Sequence, residues 1–288
     1  MKKSKLAKVL TVSLAALMVF GLASCGGGSG KVSDKDITVI SREEGSGTRD
    51  AFTELTGVLQ DDVDKTVDTA EISNSTSVVT QSVAGNDAAI GYISLGSLDD
   101  TVKAVKVDGV EATVDNIKSG DYKIQRPFNI VTKGEVKELP ADFIKFIMSK
   151  DGQKIIEDEG YISVNDNAEA YNASGLKGSI TLAGSTSVSP VMEVLADKYK
   201  ELNSGVTIEI QQTGSGAGIQ STTEGVCDIG MASRELKDEE TSQGLKSEEI
   251  ALDGIAVIVN KDNGVEDLSM DQIMKIFTGE ITNWADVK

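Results

Sequence analysis

The stretch Ile37 to Phe52, I-T-V-I-S-R-E-E-G-S-G-T-R-D-A-F, restricts this chain more than any other, because it runs a strand into a helix through a loop with two glycines. Ile37, Val39 and Ser41 alternate with Thr38 and Ile40, as in a short buried strand. Gly45 and Gly47 let the backbone turn tightly and approach a bound group closely. Ser46, Gly47 and Thr48 then fall at a helix N-terminus, where unpaired N–H groups and the positive end of the helix dipole favour an anion. Ser46 and Thr48 add hydroxyl donors, Arg42 adds a planar, permanently charged fork, and Glu44 stands where it could hold that fork.

One such loop is an ordinary tight connection in an α/β protein. Two more give the pattern weight: Ala183-Gly184-Ser185-Thr186-Ser187-Val188-Ser189-Pro190 and Gln212-Thr213-Gly214-Ser215-Gly216-Ala217-Gly218, each between a strand pattern and a helix pattern. Three loops of this kind can converge on one small anion. All four arginines, Arg42, Arg49, Arg126 and Arg234, lie in these or comparable segments, while the lysines are scattered.

The segments A-G-S-T-S-V-S-P, Q-Q-T-G-S-G-A-G, D-I-G-M-A-S-R-E-L and S-R-E-E-G-S-G-T-R-D-A-F are similar to motifs of the phosphate-binding lipoproteins that serve bacterial phosphate ABC importers, and the resemblance covers nearly all of Asp36 to Lys288. Their order departs from the family. There A-G-S-T-S comes first and S-R-E-E-G-S-G-T follows W-A-D-V, whereas here the S-R-E-E segment leads and the chain stops just after Trp284-Ala285-Asp286-Val287. The resemblance therefore implies a circularly permuted, two-lobed α/β fold of the periplasmic-binding-protein kind (type II), with the ligand in the cleft. One lobe is expected from residues 36–124 plus 258–288, the other from 125–257.

Lys2, Lys3, Lys5 and Lys8 precede an apolar run from Val9 to Ala23, a secretory signal pattern, and Leu22-Ala23-Ser24-Cys25 resembles a lipobox. The expectation is a signal peptide over 1–24, then a lipidated Cys25 and flexible spacer over 25–35, leaving a monomer tethered to the outer face of the cell membrane. Without those four lysines, 24 basic residues face 46 acidic ones. Nucleic acid is then a poor partner, and an anion site has to work through local dipoles and hydrogen bonds. The chain has no histidine, which excludes Ser-His triads and His-based zinc sites. No cofactor or metal is expected. Cys227 reads as a small buried residue.

Between the motifs, Ser75 is placed to cap a helix, and Asp108-Gly109 between alternating runs predicts a hairpin. Pro140 opens a helical pattern interrupted near Asp151-Gly152. Asn165 to Gly178 reads as a polar linker, Ser189-Pro190 as a cap with an N1 proline, and Ser269 to Gln272 as a capping box.

Carried over residue by residue, the resemblance implies phosphate contacts from Arg42, Ser46, Gly47, Thr48, Ser185, Thr186, Ser187, Ser215 and Ser233, and delivery of inorganic phosphate to ABC permease subunits. Near neutral pH phosphate keeps a proton that sulfate lacks, so selectivity asks for an acceptor, best a carboxylate. Some family members have an aspartate where this chain has Ser233, and Asp253 is the acceptor expected here, beside a purely structural role at a strand start. Two alternatives stand: a receptor for another tetrahedral oxyanion such as sulfate, and a phosphoester hydrolase. Against the hydrolase are the missing histidine and the lack of a clustered Asp/Glu metal motif.

Overall fold

The structure, a computed structural model, describes residues 34–287. The expected signal peptide, Cys25 and most of the spacer lie outside the described residues. No helix among the described residues is long and apolar enough to cross a membrane.

Strand β1 (Thr38–Arg42) passes through a turn at Glu43–Gly45 into α1 (Gly47–Thr56). Ser46 caps the helix by accepting the Arg49 N–H at 3.4 Å, and Gly57 ends it in the left-handed conformation, φ 77°. The short pair β2 (Leu59–Gln60) and β3 (Val63–Asp64) follows, then β4 (Glu71–Ser73), α2 (Thr76–Gly85) capped by Ser75, and β5 (Ala89–Ser94). Strands β6 (Val102–Ala104) and β7 (Lys106–Val107), helix α3 (Val114–Lys118) and strand β8 (Gln125–Lys133) lead into the second lobe. There the chain forms α4 (Glu138–Ile147), α5 (Lys150–Asp158), β9 (Ile162–Ser163), β10 (Gly178–Gly184), α6 (Ser189–Leu202) and β11 (Val206–Gln212). After α7 (Ser215–Glu224), β12 (Ile229–Ala232) and α8 (Asp238–Thr241), the long β13 (Leu245–Asn260) returns the chain to the first lobe, which β14 (Asp267–Leu268) and α9 (Met270–Phe277) complete.

The lobes share one curled mixed sheet of order β11-β10-β12-β8-β13-β5-β1-β4. Strands β10, β11 and β12 are parallel, as are β4, β1 and β5, while β8 and β13 run antiparallel through the middle. Each lobe has its own core. In the first, Phe52 stacks on Tyr92 at 3.9 Å between ring centroids and meets Phe277 edge-on. In the second, Phe143 and Phe146 pack around Tyr199. Each such ring contributes about 1.5 to 3 kcal/mol by leaving water.

Several local expectations shift. Strand β13 changes partner from β8 to β5 at Gly254/Ile255, so it enters the first lobe about three residues before the expected boundary at 257/258. The Asp108-Gly109 turn forms, but only a single Val107–Val110 bridge flanks it, because β7 pairs in parallel with β14 instead. The break between α4 and α5 lies at Met148-Ser149, where Ser149 caps α5, and not at Asp151-Gly152. Val188, not Ser189, is the N-cap position of α6, and the Ser185 hydroxyl accepts the N–H groups of Ser187 and Val188. The linker is stapled down: the Tyr171 hydroxyl donates to Asp142 at 2.5 Å and its N–H to Asp151 at 2.8 Å.

The two ends of the described chain adjoin. Ile37 N–H donates to Thr282 O at 2.8 Å and Trp284 N–H to Lys35 O at 3.0 Å, with Asp36 bridging Asn283.

Candidate functional site

The C-terminal end of β1 sets Arg42 at the boundary between the lobes with 2 % of its surface exposed. Its backbone N–H donates to the Tyr92 hydroxyl, and Arg49 donates to its carbonyl at 2.8 Å. Glu43, and not the expected Glu44, holds the guanidinium: Nε and Nη2 donate to the two carboxylate oxygens at 2.8 and 2.9 Å. Gly45, at φ 81°, makes the turn that an L side chain would strain, and Ser46 then starts α1.

From the second lobe, β10 delivers Ser185 to Ser187, α7 begins with Ser215, and β12 ends before Ser233. Two of these residues, Thr186 and Ser187, meet Arg42 and Thr48 directly. Arg42 Nη2 donates to Thr186 Oγ1 at 3.1 Å, and the Thr48 and Ser187 hydroxyls lie 2.9 Å apart. Gly216 N–H donates to Gly45 O at 2.9 Å. Ser215 and Ser233 share a hydroxyl contact of 3.3 Å against Gly47, where a Cβ would come within 2.5 Å of Ser215 Oγ and 2.8 Å of Ser233 Oγ. All nine residues expected as ligand contacts therefore lie on the loops that meet here. Ser46 and Ser185 spend their oxygens as acceptors on helix starts, which leaves their hydroxyl protons to donate elsewhere.

Thr76 is not among the residues expected to contact the ligand, yet its hydroxyl lies 3.2 Å from Thr186 Oγ1 and 3.1 Å from Ser187 Oγ. The run Asn74-Ser75-Thr76-Ser77, a hydroxyl-rich helix start after a strand, was the signal available for it. Thr76 and Thr186 also border a cleft of about 850 Å³ shared with Pro190 and Gln212.

Asp253 takes another position. It lies on β13 opposite Arg126, whose Nε and Nη2 donate to Oδ2 at 3.2 and 3.1 Å, and Ser94 donates to Oδ1 at 2.9 Å. Burial pushes its carboxyl up to about 6, against the pull of Arg126 and Ser94. Arg126 also donates to Ser233 O at 3.2 Å, so the pair supports the site from behind. On the opposite flank Arg234 ties the lobes together, with Nε 2.9 Å from Asp50 and Nη1 2.8 Å from Glu240.

A buried guanidinium ringed by hydroxyls from two lobes is a set of donors for an oxyanion. The family model for a PBP superfamily domain matches residues 28–151 and 169–288. The chain belongs to the PBP superfamily. It is 52 % identical to phosphate-binding protein PstS 2 of Streptococcus agalactiae serotype V over 294 residues, covering 100 % of this chain and 99 % of that protein. Phosphate-binding protein PstS 2 of Streptococcus pneumoniae serotype 4 is 47 % identical, over 99 % of this chain and 100 % of that one. The crystal structure of a phosphate ABC transporter, phosphate-binding protein, from Streptococcus pneumoniae matches at 49 % identity with a TM-score of 0.72, covering 88 % of this chain and all of that one. The segment order of this PBP superfamily member thus aligns end to end with both streptococcal relatives.

Proposed function

We propose that this protein is a receptor that binds one inorganic phosphate between its lobes outside the cytoplasm and hands it to the permease subunits of a phosphate ABC importer. The observation that carries this reading is the contact of Arg42 with Thr186, beside that of Thr48 with Ser187, which unites donors from both lobes in one buried cluster. Neutral hydroxyls that now bond to one another can turn their protons onto an anion, and charge-assisted bonds contribute roughly 1.5 to 3 kcal/mol each. A handful of them, less desolvation and closure costs, is consistent with the roughly 8 kcal/mol of a micromolar complex. The relatives at 52 % and 47 % identity, both called phosphate-binding proteins, support the choice of ligand.

The protein acts as a monomeric receptor and not as a phosphoester hydrolase. The leader and Cys25 make it a lipoprotein anchored to the outer face of the cell membrane, with 36–124 plus the return from β13 onward as one lobe. Selectivity over sulfate rests on hydroxyl acceptors in this reading, since Asp253 is held by Arg126 and Ser94. Calorimetric titration with phosphate and with sulfate, alongside small-angle scattering, tests the proposal. Phosphate should release heat, bind at one site and compact the particle. No heat and no change in scattering would end this reading.

A further inference from the structure

We propose that Thr76 is a further ligand-binding residue of the same site, donating its hydroxyl proton to the anion from the first lobe; the inference rests on the phosphate reading above. Thr76 is the first residue of α2 and is 5 % exposed. Threonines deeper in helices here turn their hydroxyls back onto their own helix: Thr56 donates to Phe52 O, Thr80 to Thr76 O and Thr222 to Gly218 O. A first-turn threonine has no helical carbonyl four residues behind it, so its hydroxyl is free of that use.

In Thr76 it is turned into the cluster instead. Its oxygen accepts from Arg42 Nη1 at 3.4 Å and stands 3.2 Å from Thr186 Oγ1 and 3.1 Å from Ser187 Oγ. Its backbone N–H points the same way, at 3.4 Å from Thr186 Oγ1. A hydroxyl has one proton and two lone pairs, so an oxygen that accepts from a guanidinium keeps its own proton to donate. The Thr76 donor therefore stands between Arg42 of its own lobe and the two hydroxyls of the other. It also borders the cleft beside Pro190 and Gln212.

The test compares Thr76→Val, Thr76→Ser and, as a control of similar burial one turn further on, Thr80→Val, by calorimetric titration with inorganic phosphate and by thermal melting with and without phosphate. Thr76→Val keeps the shape and loses the donor. It should bind phosphate roughly 10- to 100-fold more weakly, the range for one charge-assisted bond. Thr76→Ser, which restores the hydroxyl, should stay within about threefold of the unaltered protein, as should Thr80→Val. Thr76→Val binding as tightly as an unaltered protein that does bind phosphate would overturn the assignment of Thr76 alone. Equal losses in Thr76→Val and Thr76→Ser would also overturn it, since packing would then be the cause. An unaltered protein that gives no phosphate heat would overturn the phosphate reading itself, and this inference with it.

Discussion

Arg126 and Asp253 face each other across the ladder between β8 and β13 and form an ion pair of 3.1 Å in which each side chain is 1 % exposed. Two residues later, at Ile255, β13 pairs with β5 instead of β8, so the pair sits where the chain passes between lobes. Removing one charge from a buried pair strands the other. Arg126→Met should cost about 3 kcal/mol of stability at pH 8. Burial already holds the Asp253 carboxyl at about 6, above its unfolded value, so the stability it contributes is greatest below about pH 4 and is lost as pH rises through 6. Loss of Arg126 raises that carboxyl further, so the penalty should shrink as pH falls from 8 to 5. Urea unfolding at stepped pH checks this, and a penalty independent of pH would contradict it.

The two arginines of the first loop should separate by role. Arg42→Lys keeps the charge and loses the fork that holds Glu43 and reaches Thr186, and it should weaken phosphate binding roughly tenfold or more. Arg49 instead braces the loop through Arg42 O and Asp64 at 2.7 Å, so Arg49→Lys should have the smaller effect. Titration of both variants decides, and equal affinities for Arg42→Lys and the unaltered protein would remove Arg42 from the site.

Gly47→Ala tests closure. The added Cβ would lie 3.0 Å from Ser215 Cβ and closer still to two hydroxyl oxygens of the opposite lobe. Either the lobes stay apart or those hydroxyls turn away, and both outcomes remove donors. Phosphate affinity should fall by about tenfold or more, while stability changes by less than about 1 kcal/mol, because alanine suits a helix start at least as well as glycine. Scattering with saturating phosphate separates the two outcomes: a less compact particle if the lobes stay apart, an unchanged one if the hydroxyls turn away.

Chain order should matter little to the fold. Ile37 and Thr282 are hydrogen-bonded at 2.8 Å, so the two ends adjoin, and the segment order that the family resemblance implies could run continuously across them. A variant with residues 36–176 moved behind Lys288 should fold cooperatively and bind phosphate as well as or better than the chain as it stands. Circular dichroism melts and titration check this, and a non-cooperative melt would show that the present break is required.

The local parts of the candidate site are legible in the sequence because each depends on a few neighbouring residues. Strand, glycine turn and capped helix start each follow from a few neighbouring residues, which makes the Arg42 to Thr48 loop readable from the chain, whereas Ser185 to Ser187 are assigned by what the family resemblance implies. The capping box at Ser269 formed for the same reason. Partnerships were not local. Glu43 and Glu44 are equivalent in sequence, and only the direction in which the chain leaves β1 decides which carboxylate faces Arg42. No local pattern shows that Asp253 pairs with Arg126; that follows from the register of β13 on β8. Thr76 joined Ser187, more than a hundred residues away, only because two lobes close on each other. The sequence by itself determined the local donors and where helices begin. The tertiary structure decided which of them meet, since that depends on sheet register and lobe closure, which no short stretch of chain encodes.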